Sequence, residues 1–197
     1  MSSELQFEAS SHTYTLGGQV LPSVTQVLDE ALREYVDVPV HYLEAAAEFG
    51  DHVHRACDLF DRGILDRGIL DPRLAPYVDA WTKFRTDSGV VVLASEKRVH
   101  HPALGYAGTL DVLGLMPRKK VPAVIDRKSS ALVPRSVGAQ TAAYREAHRV
   151  HGHQVDSVRY CVHLKGDGTY RLQRLTDPSD FSLFTSCLNV WRFRNVH

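Results

Sequence analysis

Cysteine is scarce in this sequence, and long apolar runs are absent. The three cysteines, Cys57, Cys161 and Cys187, are widely separated and form no C-x-x-C pair. This spacing excludes a disulfide framework and a zinc knuckle, and it is typical of a reducing compartment. No apolar stretch reaches transmembrane length, and the polar start MSSELQFEASSH lacks the pattern of a signal peptide. We therefore expect a cytoplasmic protein that does not enter a membrane.

An excess of charge of either sign is also lacking. Lys and Arg number 23, Asp and Glu number 23, and the net charge is zero with the 11 histidines neutral. This balance argues against a protein that coats duplex DNA through general electrostatic attraction. Basic residues are nevertheless concentrated in one segment, at Arg118, Lys119, Lys120, Arg127, Lys128, Arg135, Arg145 and Arg149. They could line a local positive groove, or they could cover a solvated hairpin tip and helix face.

The pattern of apolar residues predicts a single domain of the α/β (α+β) class. The chain has 197 residues and 44% hydrophobic residues, enough for a substantial core. We expect a helical N-terminal part over about 20–88 and a core over about 89–197, with a central mixed β-sheet flanked by helices. The predicted strands lie in 5–21, 91–99, 104–116, 123–130 and 155–175, and the predicted helices cover 23–34, 42–61, 74–89, 136–150 and a last segment after Pro178.

Two aspartates occur where the sequence otherwise predicts buried strands. Asp111 lies in GTLDVLGL, and Asp126 lies in AVIDRKSS, two residues before Lys128. Burying unpaired carboxylates costs several kcal/mol on an order-of-magnitude scale, and a single lysine cannot neutralise two of them. Glu96, on the preceding predicted strand, adds a third carboxylate. Clustered carboxylates suit Mg²⁺ or Mn²⁺, and the chemistry they imply is metal-assisted hydrolysis of a phosphodiester.

Two helices carry further candidates. Gln140 and Tyr144 are spaced i, i+4 and share one helix face, where an amide and a phenol can bond a phosphate or a base edge. His54 in FGDHVHRACDLF could supply a nitrogen ligand, with Gly50 one turn earlier leaving space. Each feature taken alone is more common in a half-buried helix or as an ordinary surface or core histidine. A lone D-x-K is, in the same way, more often a surface ion pair.

As a set, these residues resemble the PD-(D/E)XK nuclease superfamily. The matching positions are Gly50-x-x-x-His54, Glu96, Gly108-x-x-Asp111, Asp126-x-Lys128 and Gln140-x-x-x-Tyr144. The upstream histidine and the Q-x-x-x-Y helix are similar to the RecB-type branch. The stretch Pro22 to Thr25 and the pattern His101, Tyr106, Gly108, Asp111 are similar to the mitochondrial genome maintenance exonuclease and its small phage homologues. The resemblance covers about residues 20–175.

The resemblance implies a restriction-endonuclease-like core and a role for each matching residue. Asp111 and Asp126 would be the principal metal ligands, with the backbone carbonyl of Arg127 as a third oxygen and His54 as a nitrogen ligand that favours Mn²⁺. Lys128 would orient or deprotonate the attacking water. Glu96 would line the site, through a water or a second ion. Gln140 and Tyr144 would place the nucleic-acid strand.

Two features found in some relatives are missing. Three scattered cysteines cannot hold the four-cysteine iron–sulfur cluster of several RecB-type nucleases, so we expect no iron–sulfur cluster. The chain also has no helicase segment. It would act alone or with a separate helicase or recombination partner.

The implied function is that of a metal-dependent exonuclease acting on DNA ends or single-stranded DNA in replication, recombination or degradation. Tyr106, Trp81 and Phe84 could stack on unpaired bases, although the helical spacing of the last two equally suits core packing. A structure-specific endonuclease on the same fold is one alternative, and a catalytically silent nucleic-acid-binding subunit is another. The small size is similar to that of phage enzymes.

Overall fold

A five-stranded mixed sheet lies at the centre of the computed structural model, which describes residues 4–195. The strand order is β4 (Val91–His101), β5 (Tyr106–Leu115), β6 (Ala123–Lys128), β7 (Arg159–Leu164) and β8 (Tyr170–Leu175). All neighbours are antiparallel except β6 and β7, which are parallel and are joined by helix α4 (Val137–Arg149). The predicted α/β class and central mixed sheet are confirmed. The ends of the predicted 1–197 domain, residues 1–3 and 196–197, lie outside the described part.

Helices cover both faces of this sheet and create two apolar cores. On one face, α4 packs with α1 (Val24–Leu32) and α5 (Asp180–Asn195) around buried residues such as Leu110, Leu113 and Val124. On the other face, α2 (Val40–Asp61) and α3 (Ala75–Ser88) pack against Val112, Ile125 and Val162. Successive strand residues point to opposite faces, so a strand covered on both sides is apolar along its whole length.

A small antiparallel sheet precedes the first helix. It contains β1 (Leu5–Glu8), β2 (Thr13–Leu16) and β3 (Gln19–Leu21), where the sequence predicts a hairpin over 5–21. The tyrosine of its middle strand, Tyr14, shares a 2.8 Å hydrogen bond with Thr109 of β5, which attaches this sheet to the central one.

Local signals fix several element ends. Ser23 and Gln26 form the predicted capping box of α1, and Gly89 ends α3 with a left-handed φ of 65°. Most predicted boundaries differ from the observed ones by one to three residues, which is the usual fraying of element ends. The three cysteines are free and buried. Among the described residues, no helix combines the length and apolar character needed to cross a membrane.

Candidate metal centre

A row of three carboxylates crosses three adjacent strands of the central sheet. Ser95 pairs with Val112 and Lys97 with Leu110, so Glu96 and Asp111 lie opposite each other between these pairs. Val112 pairs with Ile125 in the antiparallel β5–β6 pair, so the same register places Asp111 opposite Asp126. The antiparallel register thus brings together the three acidic residues that stand out in the sequence.

The backbone is irregular along this row. Glu96 has a φ of +50°, in the left-handed region that a residue with a long side chain seldom adopts. The last backbone pair between β5 and β6 is Val112–Ile125, and beyond it the carboxylate of Asp111 accepts the backbone N–H of Arg127 at 2.7 Å. The Asp111 side chain therefore replaces a strand carbonyl as the acceptor. This bond fixes the position of its carboxylate.

His54 of α2 approaches the row from the side. Its Nδ1 lies 3.6 Å from Glu96 Oε1 and 3.6 Å from Asp111 Oδ2. Ligand atoms of these three residues all lie within 4.8 Å of one another. Burial lowers the pKa of His54, but the neighbouring carboxylates of Asp111 and Glu96 raise it by more, so the net shift is upward. The imidazole thus lies in a region of negative electrostatic potential, which would also favour the binding of a cation.

Asp126 is held by Lys128 on the same face of β6. Lys128 Nζ lies 3.2 Å and 3.1 Å from the two oxygens of Asp126, and Asp126 is only 1% exposed. Burial raises the pKa of Asp126 to about 6, with Asp111 adding to the rise and Lys128 and His54 opposing it. Asp126 therefore has a cation of its own, and Glu96 takes the place beside Asp111 and His54 that we expected for Asp126. Ligation by Asp126 and by the Arg127 carbonyl stays a prediction.

Gln140 and Tyr144 share one face of α4, as their spacing predicts, and their polar atoms point toward Lys128. Lys128 Nζ donates to Gln140 Oε1 at 3.1 Å, and Gln140 Nε2 donates to the Tyr144 hydroxyl at 3.3 Å. Gln140 is 8% exposed and Tyr144 is 4% exposed. In this arrangement the pair positions the lysine. Direct contact with a nucleic-acid strand is not available to the buried Tyr144 ring.

The predicted base-stacking role of Tyr106 is wrong for this structure. Tyr106 is fully buried, its hydroxyl donates to the Ala143 carbonyl at 2.9 Å, and its ring packs edge-on against Phe184. Trp81 and Phe84 are also fully buried and stack on each other, so core packing is the correct interpretation for both. The side chains of β5 are buried on both faces, which is why exposure could not be predicted from alternation.

The Arg127 side chain has a role that was not predicted from the sequence. The guanidinium is fully buried on the α2–α3 face, where it donates to Glu96 Oε1 at 2.7 Å and to Asp61 Oδ2 at 3.3 Å. It also lies 5.2 Å from the centroid of the Trp81 ring. Strand alternation places Arg127 opposite to Asp126, and a buried charge there requires a partner, but nothing in the sequence indicated Asp61.

The carboxylates of this region outnumber its permanent cations. The acidic members are Asp61, Glu96, Asp111 and Asp126, and the cations in contact with them are Arg85, Arg127 and Lys128. One negative charge is left over, and it falls at Asp111, whose described partners are a backbone N–H and His54. Two carboxylates and an imidazole suit Mn²⁺, and the oxygens also suit Mg²⁺. The residues present therefore fit a divalent cation.

A large cleft leads to this cluster. Its volume is about 1070 Å³, and His54 and Lys128 are among the residues that line it. One wall is the segment from α1 through the first half of α2, and the other is residues 128–132. Exposed apolar side chains line much of the cleft, among them Val36, Val40, Tyr42 and Leu132. A ligand in the cleft would contact His54 and Lys128, which lie directly beside the carboxylates of the row.

The eight clustered basic residues do not form one groove. Arg127 and Lys128 point to opposite faces of β6, and Lys119 pairs with Asp156 at 2.8 Å near the β5–β6 turn. Arg145 and Arg149 both pair with Glu146 on α4. These side chains therefore lie in separate parts of the molecule, and that of Arg127 is buried.

No protein-family model matches the sequence, and a search of curated proteins finds no match.

Proposed function

We propose that the chain is a divalent-metal-dependent deoxyribonuclease of the RecB-type branch of the PD-(D/E)XK superfamily. In this proposal it acts as an exonuclease on DNA ends or single strands. The observation that carries it is the meeting of His54, Glu96 and Asp111 beside the Asp126–Lys128 pair, with His54 and Lys128 lining an open cleft. Three strands and one helix contribute side chains to this cluster. A structural ion pair would not require side chains from four elements to meet.

His54, Glu96 and Asp111 would hold Mg²⁺ or Mn²⁺, with Asp126 adjoining them. When bound, such an ion supplies Lewis-acid stabilisation of the charge that develops on a phosphate under attack. The imidazole ligand favours Mn²⁺ over Mg²⁺ on grounds of ligand softness.

Lys128 would orient the phosphate or the attacking water. Burial lowers the pKa of Lys128, but Asp126 and Asp111 raise it by more, so the charged ammonium form, which donates hydrogen bonds, is favoured. The resemblance implied that Lys128 orients or deprotonates the attacking water, and a charged ammonium favours the orienting role. Gln140 accepts one of its N–H bonds and is in turn bonded to Tyr144, so the ammonium group is held from α4 as well as from β6.

The cleft supports a single strand better than a duplex. Its charged lining is balanced, with acidic Asp29, Glu30 and Glu34 against basic Arg33, Lys128 and Arg194. A duplex carries one phosphate charge per about 1.7 Å of its axis and favours strongly basic surfaces. Single strands are bound largely through stacking of bases on aromatic and apolar side chains. Exposed Tyr42, at 63%, and Tyr35, at 37%, offer such rings.

End-labelled single-stranded and duplex DNA incubated with Mg²⁺, Mn²⁺ or EDTA tests this function. We expect shortening of the single strand with either ion and none in EDTA. Asp111→Asn should lower the rate about 10³-fold or more, because it removes the charge that would hold the ion. The matched control is Asp51→Asn, an exposed change on α2 three residues from His54 that should keep the rate of the unchanged protein.

The products separate the remaining alternatives. Cleavage of branched or flapped duplexes in preference to strand ends would indicate a structure-specific endonuclease. DNA binding without degradation under any ion would indicate a catalytically silent subunit. Full activity in EDTA would contradict the metal-dependent mechanism.

A further inference from the structure

Helix α2 contributes a second polar side chain to this region, two turns after His54. Asp61 lies seven residues further along α2, so the two side chains share one face of the helix. His54 belongs to the proposed metal triad of His54, Glu96 and Asp111. Asp61 is the last residue of α2, where a negative charge is unfavourable for the helix dipole. Contacts outside the helix must therefore account for a carboxylate at this position.

Both oxygens of the Asp61 carboxylate accept hydrogen bonds. Oδ1 accepts the Trp81 indole N–H at 2.8 Å and an N–H of Arg85 at 2.9 Å. Oδ2 accepts an N–H of Arg127 at 3.3 Å. The side chain of Asp61 is only 1% exposed, and that of Arg127 is fully buried. None of these described partners is a member of the metal triad, so Asp61 can act on the triad only through a neighbour.

Arg127 is the neighbour that joins Asp61 to the triad. One terminal nitrogen of its guanidinium donates to Asp61, and the other donates to Glu96 Oε1 at 2.7 Å. The same Glu96 oxygen lies 3.6 Å from His54 Nδ1. Arg127 would therefore compete with a metal ion for this oxygen. The strength of that competition depends on how much of the Arg127 charge Asp61 already balances.

The charges of the region give the same dependence on Asp61. Four carboxylates face three permanent cations, and the surplus negative charge favours a divalent ion at the triad. Without the charge of Asp61, three carboxylates would face three cations. We propose that Asp61 is a positioning residue of the metal centre, which holds Arg127 so that Glu96 remains free to bind a metal ion. This inference rests on the proposed metal-dependent function.

The sequence contains a matched control for Asp61. Five residues are repeated in tandem in DRGILDRGIL, residues 61–70, so Asp66 takes the place of Asp61 in the second copy. Asp66 is exposed, and its carboxylate accepts the backbone N–H of Gly68 at 2.8 Å. Asp61→Asn and Asp66→Asn thus remove the same charge from the same local sequence, once beside Arg127 and once at the surface.

Calorimetric titration with Mn²⁺ in the absence of DNA tests the proposal. Asp61→Asn should weaken Mn²⁺ binding about 10- to 100-fold, because residues that orient a metal ligand have effects of this size. Asp66→Asn should bind the ion as the unchanged protein does. Circular dichroism at the temperature of the titration checks that each variant is folded. Equal affinity in Asp61→Asn and the unchanged protein would overturn the proposal.

A double variant separates positioning from a general loss of structure. Asp61→Asn leaves the Arg127 charge to Glu96, whereas Asp61→Asn combined with Arg127→Met also removes the competing guanidinium. Replacing both members of a buried ion pair is less damaging than breaking the pair. The double variant should therefore recover part of the Mn²⁺ affinity that Asp61→Asn loses. A purely structural role predicts a further loss, and affinity equal to or below that of Asp61→Asn would overturn the proposal.

The indole N–H resonances give a readout in the unchanged protein, which also serves if Asp61→Asn does not fold. Trp81 is bonded to Asp61, and Trp191 packs in the core on the opposite face of the sheet. Mg²⁺ binding at Glu96 should alter its bond with Arg127 and, through Asp61, shift the Trp81 resonance but not that of Trp191. A Trp81 resonance that stays in place at saturating Mg²⁺ would overturn the proposal.

These measurements also distinguish the inference from the proposed function. If the protein binds Mn²⁺ but degrades no DNA, the nuclease function fails, and the titrations still decide the role of Asp61. If DNA is degraded with Mn²⁺ and Asp61→Asn binds the ion normally, only the role of Asp61 fails. Absence of any metal binding by the unchanged protein would overturn both.

Discussion

Neighbouring side chains of β6 belong to two ionic clusters. The two clusters differ in whether buried partners surround the charges or a ligand can reach them. Arg127 points to the α2–α3 face, is fully buried, and has Asp61, Glu96 and the Trp81 ring around it. Asp126 and Lys128 point to the other face and meet each other next to the open cleft. One cluster is sealed by its partners, and the other has an end that a ligand can reach. One strand thus supplies both a structural ion network and a candidate reactive one.

Glu96 connects the two clusters. Its Oε1 accepts a bond from Arg127 and lies 3.6 Å from His54. The buried Arg127 side chain can therefore hold the Glu96 carboxylate in the position that a metal ligand of the open cluster needs. Buried charges that orient the ligands of a metal are a usual source of precision in such sites.

The largest expected effect breaks the sealed cluster. Arg127→Met should lower the free energy of unfolding by about 3–5 kcal/mol, because it removes the fully buried guanidinium that pairs with both Asp61 and Glu96. Urea denaturation followed by circular dichroism measures it. Arg85→Met, which removes the more exposed partner of Asp61, should cost clearly less. Equal costs for the two changes would show that the sealed cluster is not centred on Arg127.

A smaller effect is expected from crowding the open cluster. A Cβ added at Gly108 would lie 2.5 Å from Cε1 of Tyr144, so Gly108→Ala must displace the ring that supports Gln140. We expect a loss of roughly 1–3 kcal/mol in the free energy of unfolding. Gly50→Ala is the control, since the added methyl meets only ordinary contact and a helical alanine is favoured. Combining Gly108→Ala with Tyr144→Ala should give less than the sum of the two single losses, and strict additivity would contradict the clash.

An effect of similar size to that of Gly108→Ala is expected from pH in the presence of EDTA. The pKa of Asp126 is raised to about 6, above its unfolded value, so folding favours the protonated carboxyl. This contribution to stability is present below about pH 4 and is lost as pH rises through about 6. Asp126→Asn should remove it and flatten the stability profile between those values by on the order of 2 kcal/mol. A profile identical to that of the unchanged protein would show that Lys128 keeps Asp126 ionised throughout this range.

Local chemistry made most of the fold predictable. The capping box at Ser23, the glycine that ends α3 and the change from helical to strand periodicity near residue 90 all act within a few residues. The three carboxylates could be chosen because a charge inside an apolar strand is costly and therefore indicates a partner or a ligand. Their alignment then followed from the antiparallel register.

Long-range partners could not be predicted in this way. The Arg127–Asp61 pair joins residues 66 apart, and the Glu34–Ser136 bond joins residues 102 apart, and neither has a local sequence signature. The left-handed backbone of Glu96 could not be predicted from the sequence either, because glycine is the residue that usually indicates such a conformation. Because β5 is buried on both faces, its sequence does not alternate between polar and apolar residues, and the core position of Tyr106 could not be predicted.

Calorimetric titration of the protein with Mn²⁺ tests most directly whether the open cluster is a metal site. The unchanged protein should bind the ion, and Asp111→Asn should weaken binding about tenfold or more, because it removes the carboxylate that has no cation of its own. Asp51→Asn should bind as the unchanged protein does. Absence of binding by the unchanged protein, or equal affinity in Asp111→Asn, would contradict the account.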